Sequence, residues 1–220
     1  LFIQQLGIFG PGPFTPELTD HFLKHIAANI KLVEYQLNSD NLAPSTDIFE
    51  VKLRLNHLLN LPEDKSLLIK SYSENTVRNI KKAEKAQVRF GNASIRQMIK
   101  LFQDHKEHEL ENWKTENYNV LDKLYNACML RQFGQSIGVY NAQGDLIAGA
   151  FITEWNNRAT FIFSCNSPEG KESGALPALI HHYLTNAPEK INLFDFEGSD
   201  QEGLARFYKS FGSIESNYVH

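Results

Sequence analysis

Residues 194–212 read Phe-Asp-Phe-Glu-Gly-Ser-Asp-Gln-Glu-Gly-Leu-Ala-Arg-Phe-Tyr-Lys-Ser-Phe-Gly, and their order decides the fold. Residues 191–196 form a short apolar strand, Glu197-Gly198-Ser199 turns the chain, and residues 201–210 form a helix. Gly212 stops that helix and residues 214–219 supply a last strand. Asp195 and Glu197 follow the carboxyl end of a strand, the side of an α/β sheet that usually faces a ligand. Glu197 points opposite to Phe196 and is the better candidate for substrate contact.

Working outward, residues 134–167 form a three-stranded meander. Its strands cover 135–140, 146–155 and 159–165, with turn chemistry at 141–145 and at Asn156-Asn157. Two amphipathic helices precede it. Ser94 caps the first, which carries Ile95, Met98, Ile99 and Phe102; the second carries Leu121, Leu124, Tyr125 and Cys128. Residues 173–186 form a helix whose Pro177 must lie in the first turn, where no backbone donor is lost.

The first third repeats part of this order. A strand at Phe2-Ile3, a Pro/Gly loop at 11–13, a helix through His21-Phe22-Leu23 and a strand at 30–35 match 161–162, 168–170, 181–183 and 191–196 at a nearly constant offset. An internal duplication is therefore expected, with residues 1–60 as a partial, back-half unit forming a sheet layer on the rest. Residues 61–87 are a helical basic linker, with a helix beginning at Pro62 and another capped by Ser73. Arg78, Lys81, Lys82 and Lys85 lie along one side of the second helix. Residues 88–220 make the main domain.

Composition sets outer bounds. The chain has 220 residues, 42% hydrophobic and 22% charged, with net charge -4. That balance argues against a generic nucleic-acid binder, though it leaves room for a local basic patch. Two cysteines are too few for a disulfide scaffold and fit a cytoplasmic location; no apolar run reaches membrane-spanning length. The chain begins at Leu1, so a longer parent protein is expected. His105, His108 and Glu109 lack further ligands, so no metal site is expected; Gly170-Lys171-Glu172-Ser173 is not a P-loop.

Residues 204–212 resemble the last helix and following glycine of GNAT domains. The longer stretch quoted above resembles the Fem-type branch, tandem GNAT proteins that include peptidoglycan-bridge aminoacyl transferases. Residues 75–83 are similar to the linker between the two units of that branch. The resemblance implies an α+β fold, a GNAT-like mixed sheet flanked by helices and preceded by a partial GNAT-like half. It implies an N-acyltransferase using acyl-CoA (acetyl-CoA) as co-substrate, with no tightly bound cofactor, acting on a small-molecule or peptide amine.

Two further readings stay open: a Fem-type transferase using aminoacyl-tRNA on a cell-wall precursor, and a catalytically silent GNAT module for binding or scaffolding. On the acyl-CoA reading, the resemblance implies that oxyanion donors come from backbone N–H groups where strands 159–165 and 191–196 splay. Tyr208 matches the family's general-acid tyrosine, Glu154 lies near the usual place of a general base, and Glu197 is a third candidate. Ser164, Cys165, Lys171, Ser173, Gly174 and Ala175 are the expected donor-binding residues, with the free N–H groups of the following helix facing pyrophosphate. Trp155 and Asp195 are the expected substrate contacts. Glu172 departs from the family's phosphate loop, where a carboxylate would repel pyrophosphate.

Overall fold

Strand alternation and helix caps in the sequence map onto a seven-stranded mixed sheet in a computed structural model, which describes residues 5–26, 30–45, 49–105, 114–198 and 201–220. The strands are β1 (Leu53–Asn60), β2 (Arg89–Gly91), β3 (Gly134–Tyr140), β4 (Leu146–Trp155), β5 (Arg158–Asn166), β6 (Leu193–Gly198) and β7 (Ile214–Val219). Their order is β2-β3-β4-β5-β6-β1-β7, antiparallel except for β5 with β6. Both residues of the β4–β5 turn, Asn156 and Asn157, are left-handed (φ 45° and 59°), as a tight hairpin between twisted strands requires.

The helices are α1 (Pro16–Lys24), α2 (Leu68–Ser71), α3 (Glu74–Lys85), α4 (Ile95–His105), α5 (Thr115–Leu130), α6 (Pro168–Ser173), α7 (Ala175–Asn186) and α8 (Glu202–Lys209). Ser94 and Gln97 form a reciprocal capping box: Gln97 N–H donates to Ser94 Oγ, and Ser94 N–H to Gln97 Oε1. Ser73 Oγ accepts from Thr76 N–H and starts α3. Among the described residues no helix is long and apolar enough to cross a membrane.

Each face of the sheet carries a core. On one, Ile80 of α3, Leu179, Ile180, Tyr183 and Leu184 of α7 and Tyr208 of α8 pack on Ala150, Ile152, Phe161, Phe194 and Phe196. On the other, Met98 and Phe102 of α4 and Leu121 of α5 pack on Phe151, Phe163 and Cys165. Each large side chain enclosed this way contributes about 1.5–3 kcal/mol of burial.

Three expectations are corrected. Residues 30–35 are extended but join no strand; Ile30, Leu32 and Tyr35 are exposed, and the alternation finds no sheet to lie in. Phe2-Ile3, the other expected strand, and His108 lie outside the described residues. Gln5–Phe9 contributes a single bridge, Leu6 with Leu37, so the order expected of a duplication does not form among the described residues. In the sheet, β1 lies between β6 and β7. Finally, helix formation after Pro62 begins only at Lys65, because Asp64 Oδ1 accepts from Ser66 N–H and caps there.

One glycine fixes how α3 meets α7. Gly174 is left-handed (φ 76°), separates α6 from α7, and packs so closely on α3 that a Cβ would run into the Asn79 carbonyl. Gly174→Ala is expected to cost at least about 2 kcal/mol, from the left-handed penalty plus the clash. Urea unfolding checks this, and a midpoint equal to wild type would contradict it.

Candidate functional site: the splay of two parallel strands

β5 and β6 run side by side only through Arg158↔Leu193, Ala159↔Phe194 and Thr160↔Asp195. Beyond Thr160 no rung joins them, and two bulges drive them apart. In β5 the register jumps from Phe151↔Phe163 to Ile152↔Phe161, which sends Phe161 into the first core and Phe163 into the second. In β6 the pairs Asn56↔Gly198 and Leu58↔Asp195 set three residue steps against two on β1. Glu197 absorbs the difference by going left-handed (φ 61°), a conformation that costs a non-glycine residue about 1–2 kcal/mol.

Asp195 holds this geometry. Its Oδ1 accepts the Glu197 N–H at 2.8 Å, fixing the bulge. Its Oδ2 accepts from the Arg158 guanidinium, tying β6 to β5 at the last rungs, and from Gln5 Nε2 at 3.3 Å. The Asp195 carboxylate is therefore spent on the scaffold, 1% exposed, where sequence reasoning expected a substrate contact. A buried carboxylate is tolerated only with such partners.

At the mouth of the splay Tyr208 stacks on Phe196, the first β6 residue past the last rung, at 4.7 Å and 26°. Burial, reinforced by the nearby Glu197 charge, pushes the Tyr208 phenol up to about 12. It is a neutral O–H donor at physiological pH, and among the described residues that hydroxyl makes no hydrogen bond. Glu197 is 9% exposed and turns toward the same place. The structure thus brings together two of the three expected catalytic residues.

Glu154 does not join them. Its Oε1 accepts from Tyr183 Oη at 2.9 Å and Gln135 Nε2 at 2.8 Å, and it pairs with Ala159 at the closed end of the β5–β6 rungs. It serves to satisfy a buried tyrosine whose phenol is pushed far up, chiefly by its burial. Trp155 is exposed at the β4–β5 hairpin, edge-on to Phe133 and opposite Arg158. That is about 10 Å of strand before the splay begins, so it forms no part of the cleft.

The donor-binding expectations divide. Ser164 is half-buried on the splayed part of β5. The Cys165 side chain turns into the second core, its Sγ 3.8 Å from the Gly149 carbonyl, and burial pushes the thiol up to about 12. Residues 168–173, expected as a loop before a helix at Ser173, form the separate helix α6, capped by Ser167; Ser173 Oγ donates back to the Gly170 carbonyl. Lys171 and Glu172 both face solvent. Gly174 and Ala175, the true start of α7, are buried against α3, so the amides expected to meet pyrophosphate sit beneath the Asn79 carbonyl.

On the outer side of the same α3, Arg78, Lys81, Lys82 and Lys85 are exposed, and with Tyr72 and Glu74 they line an open groove of about 710 Å³. None of the four has an ion-pair partner among the described residues. Sequence reasoning missed His57, which lies on β1 with its ring 5.8 Å from that of Tyr208. The signal was available: Asn56-His57 is an adjacent polar pair set between Leu55 and Leu58.

No family model matches the sequence, and no curated protein matches it by sequence. Among solved structures, FemX matches with a TM-score of 0.62 at 12% identity, over 76% of this chain and 61% of FemX. A conserved protein of unknown function from Bacteroides thetaiotaomicron matches with a TM-score of 0.59 at 11% identity, over 77% and 61%. L-PGS from Bacillus licheniformis matches with a TM-score of 0.50 at 10% identity, over 77% and 60%. The chain spans about three fifths of the length of each.

His57, His181 and His182 are all held below the ordinary histidine value of 6.5, in each case chiefly by burial. The folded protein therefore binds fewer protons than the unfolded chain below that pH, and stability falls as pH drops through 6.5. Urea midpoints measured at pH 7.5 and about 5.5 are expected to decrease in that order. A midpoint that holds or rises on acidification would contradict the neutral, buried state of these rings.

Proposed function

We infer, from the GNAT fold of Fem-like tandem type that this chain shares with FemX, that the splay is a transfer site carrying an acyl group onto an amine. The donor reading it supports best is an aminoacyl ester on a polyanionic carrier, as in aminoacyl-tRNA, the Fem-type alternative. One observation carries this choice: α3 covers the start of α7 with its inner side and presents with its outer side four cations that have no ion-pair partner among the described residues. A coenzyme A pyrophosphate needs that helix start open; a nucleic-acid backbone needs the cations. The net charge of -4 makes a local basic stripe the more distinctive.

The chemistry needs a free amine, donors for the oxyanion and a proton for the leaving group. Backbone N–H groups on the parted edges of β5 and β6 are the oxyanion donors. The amine nitrogen attacks the acyl carbon, the N–C bond forms, and the C–O bond to the carrier breaks. Glu197 takes the proton lost by the nitrogen, and Tyr208 gives its proton to the departing oxygen. Transfer of that proton from Glu197 to Tyr208, its electrostatic neighbour, restores both groups. The acceptor is a small-molecule or peptide amine.

Tyr208→Phe keeps the ring that stacks on Phe196 and is expected to lower turnover about ten- to a thousandfold with donor affinity unchanged. Wild-type turnover in the folded variant would refute the role.

Calorimetric titration separates the donors. Aminoacyl-tRNA is expected to bind with a steep salt slope that falls by about one for each of Lys81→Ala and Lys85→Ala. Acetyl-CoA binding without tRNA binding would restore the thioester donor, and silence from both would leave the non-catalytic module.

A further inference from the structure

His57 is the most fully enclosed titratable side chain beside the splay: it is 0% exposed, and neither Nδ1 nor Nε2 has a hydrogen-bond partner. Leaving a buried polar group unpaired costs about 1–3 kcal/mol, so a strand position between Asn56 and Leu58 would favour an apolar residue on packing grounds alone. The chain keeps imidazole there. The residue sits on β1 where the register with β6 breaks, so its backbone runs beside Phe196 and Glu197. Its ring is 5.8 Å from that of Tyr208, inclined at 60°, and among the described residues the Tyr208 hydroxyl makes no hydrogen bond. The charged groups facing it are Glu215, its cross-strand neighbour on β7, Lys209 of α8, which Glu215 pairs, and Glu197 of β6 through Tyr208.

We propose that His57 is the positioning residue for Tyr208: a neutral imidazole whose N–H donates to Tyr208 Oη, leaving the tyrosine's own O–H free for the leaving atom. Two neighbouring polar groups without partners stabilise each other on pairing. The bond does two things at once. It aims the phenol into the splay, and it stabilises the phenolate that forms when the proton departs. Burial keeps the ring neutral, so one nitrogen always carries a proton and the other never competes as a cation. His57 acts only through Tyr208, because no surface of it reaches the cleft.

This rests on the transfer reading above, so the experiment has two arms. The first needs no activity: ring-nitrogen NMR of histidine-labelled protein, with His57 assigned by His57→Gln. Tyr208→Phe keeps the ring and removes only the hydroxyl, so it is expected to shift the His57 nitrogen signals and leave those of His181 and His182 in place. Unmoved His57 signals would overturn the proposal whatever the enzyme does.

The second arm is a double-mutant cycle on turnover. His57→Phe is expected to lower kcat about ten- to thirtyfold with KM unchanged, and His57→Gln, which keeps an N–H donor, to recover most of it. In the Tyr208→Phe background His57→Phe should cost nothing further. An equal loss in both backgrounds would overturn the proposal. If His57→Phe fails to fold, the Gln variant and the first arm decide. If wild type transfers nothing, the transfer reading fails, while the nitrogen shifts still decide whether the pair exists.

Discussion

The buried carboxylate of Asp195 sets the shape on which the site depends. One oxygen ties β6 to β5 through Arg158, and the other holds the Glu197 N–H and so forces a left-handed residue into a strand. A strand pair pinned at its last rung and bulged beyond it has to open, since each bulge removes a rung and bends its strand. The first core then sets Tyr208 against Phe196 at the point of opening. Asp195 is worth little as a net stabiliser, because desolvating a charge offsets most of what its partners return; its value lies in the conformation it imposes.

The helix α3 draws a second consequence from one packing contact. Gly174 lets the α3 backbone approach until Asn79 covers the start of α7, which removes a helix-dipole site for phosphate from the sheet's own face. The same approach leaves Arg78, Lys81, Lys82 and Lys85 exposed on the outer side, with no ion-pair partner among the described residues, although Glu74 lines the same groove. On the proposed reading, the row of side chains serves an extended phosphate backbone where a single pyrophosphate would have used the helix end.

What was legible in the sequence followed from local signals. The β3–β5 meander, the Ser94 and Ser73 caps and the strand–helix–strand run of residues 191–219 all depend on period and caps within a few positions. What was lost depended on partners far along the chain. Glu154 meets Tyr183, 29 residues away, while Asp195 meets Arg158 at 37 and Gln5 at 190. No spacing rule reveals that a carboxylate is already taken. Residues 30–35 carry a strand's alternation, yet alternation only says that a strand would be half-buried if a sheet accepted it. Residues 51–59 carry strand-like composition, but the place of β1 between β6 and β7 is a property of the whole sheet.

The claim that the Asp195-pinned opening is the ligand cleft meets its most direct test in amide shift mapping with a non-hydrolysable aminoacyl-adenosine amide. Perturbations are expected along the parted edges, Phe161 to Asn166 and Phe196 to Gly198, and at Tyr208, with the β4–β5 hairpin around Trp155 silent. Perturbations centred on Trp155 and Glu154, with the splay unmoved, would contradict the account.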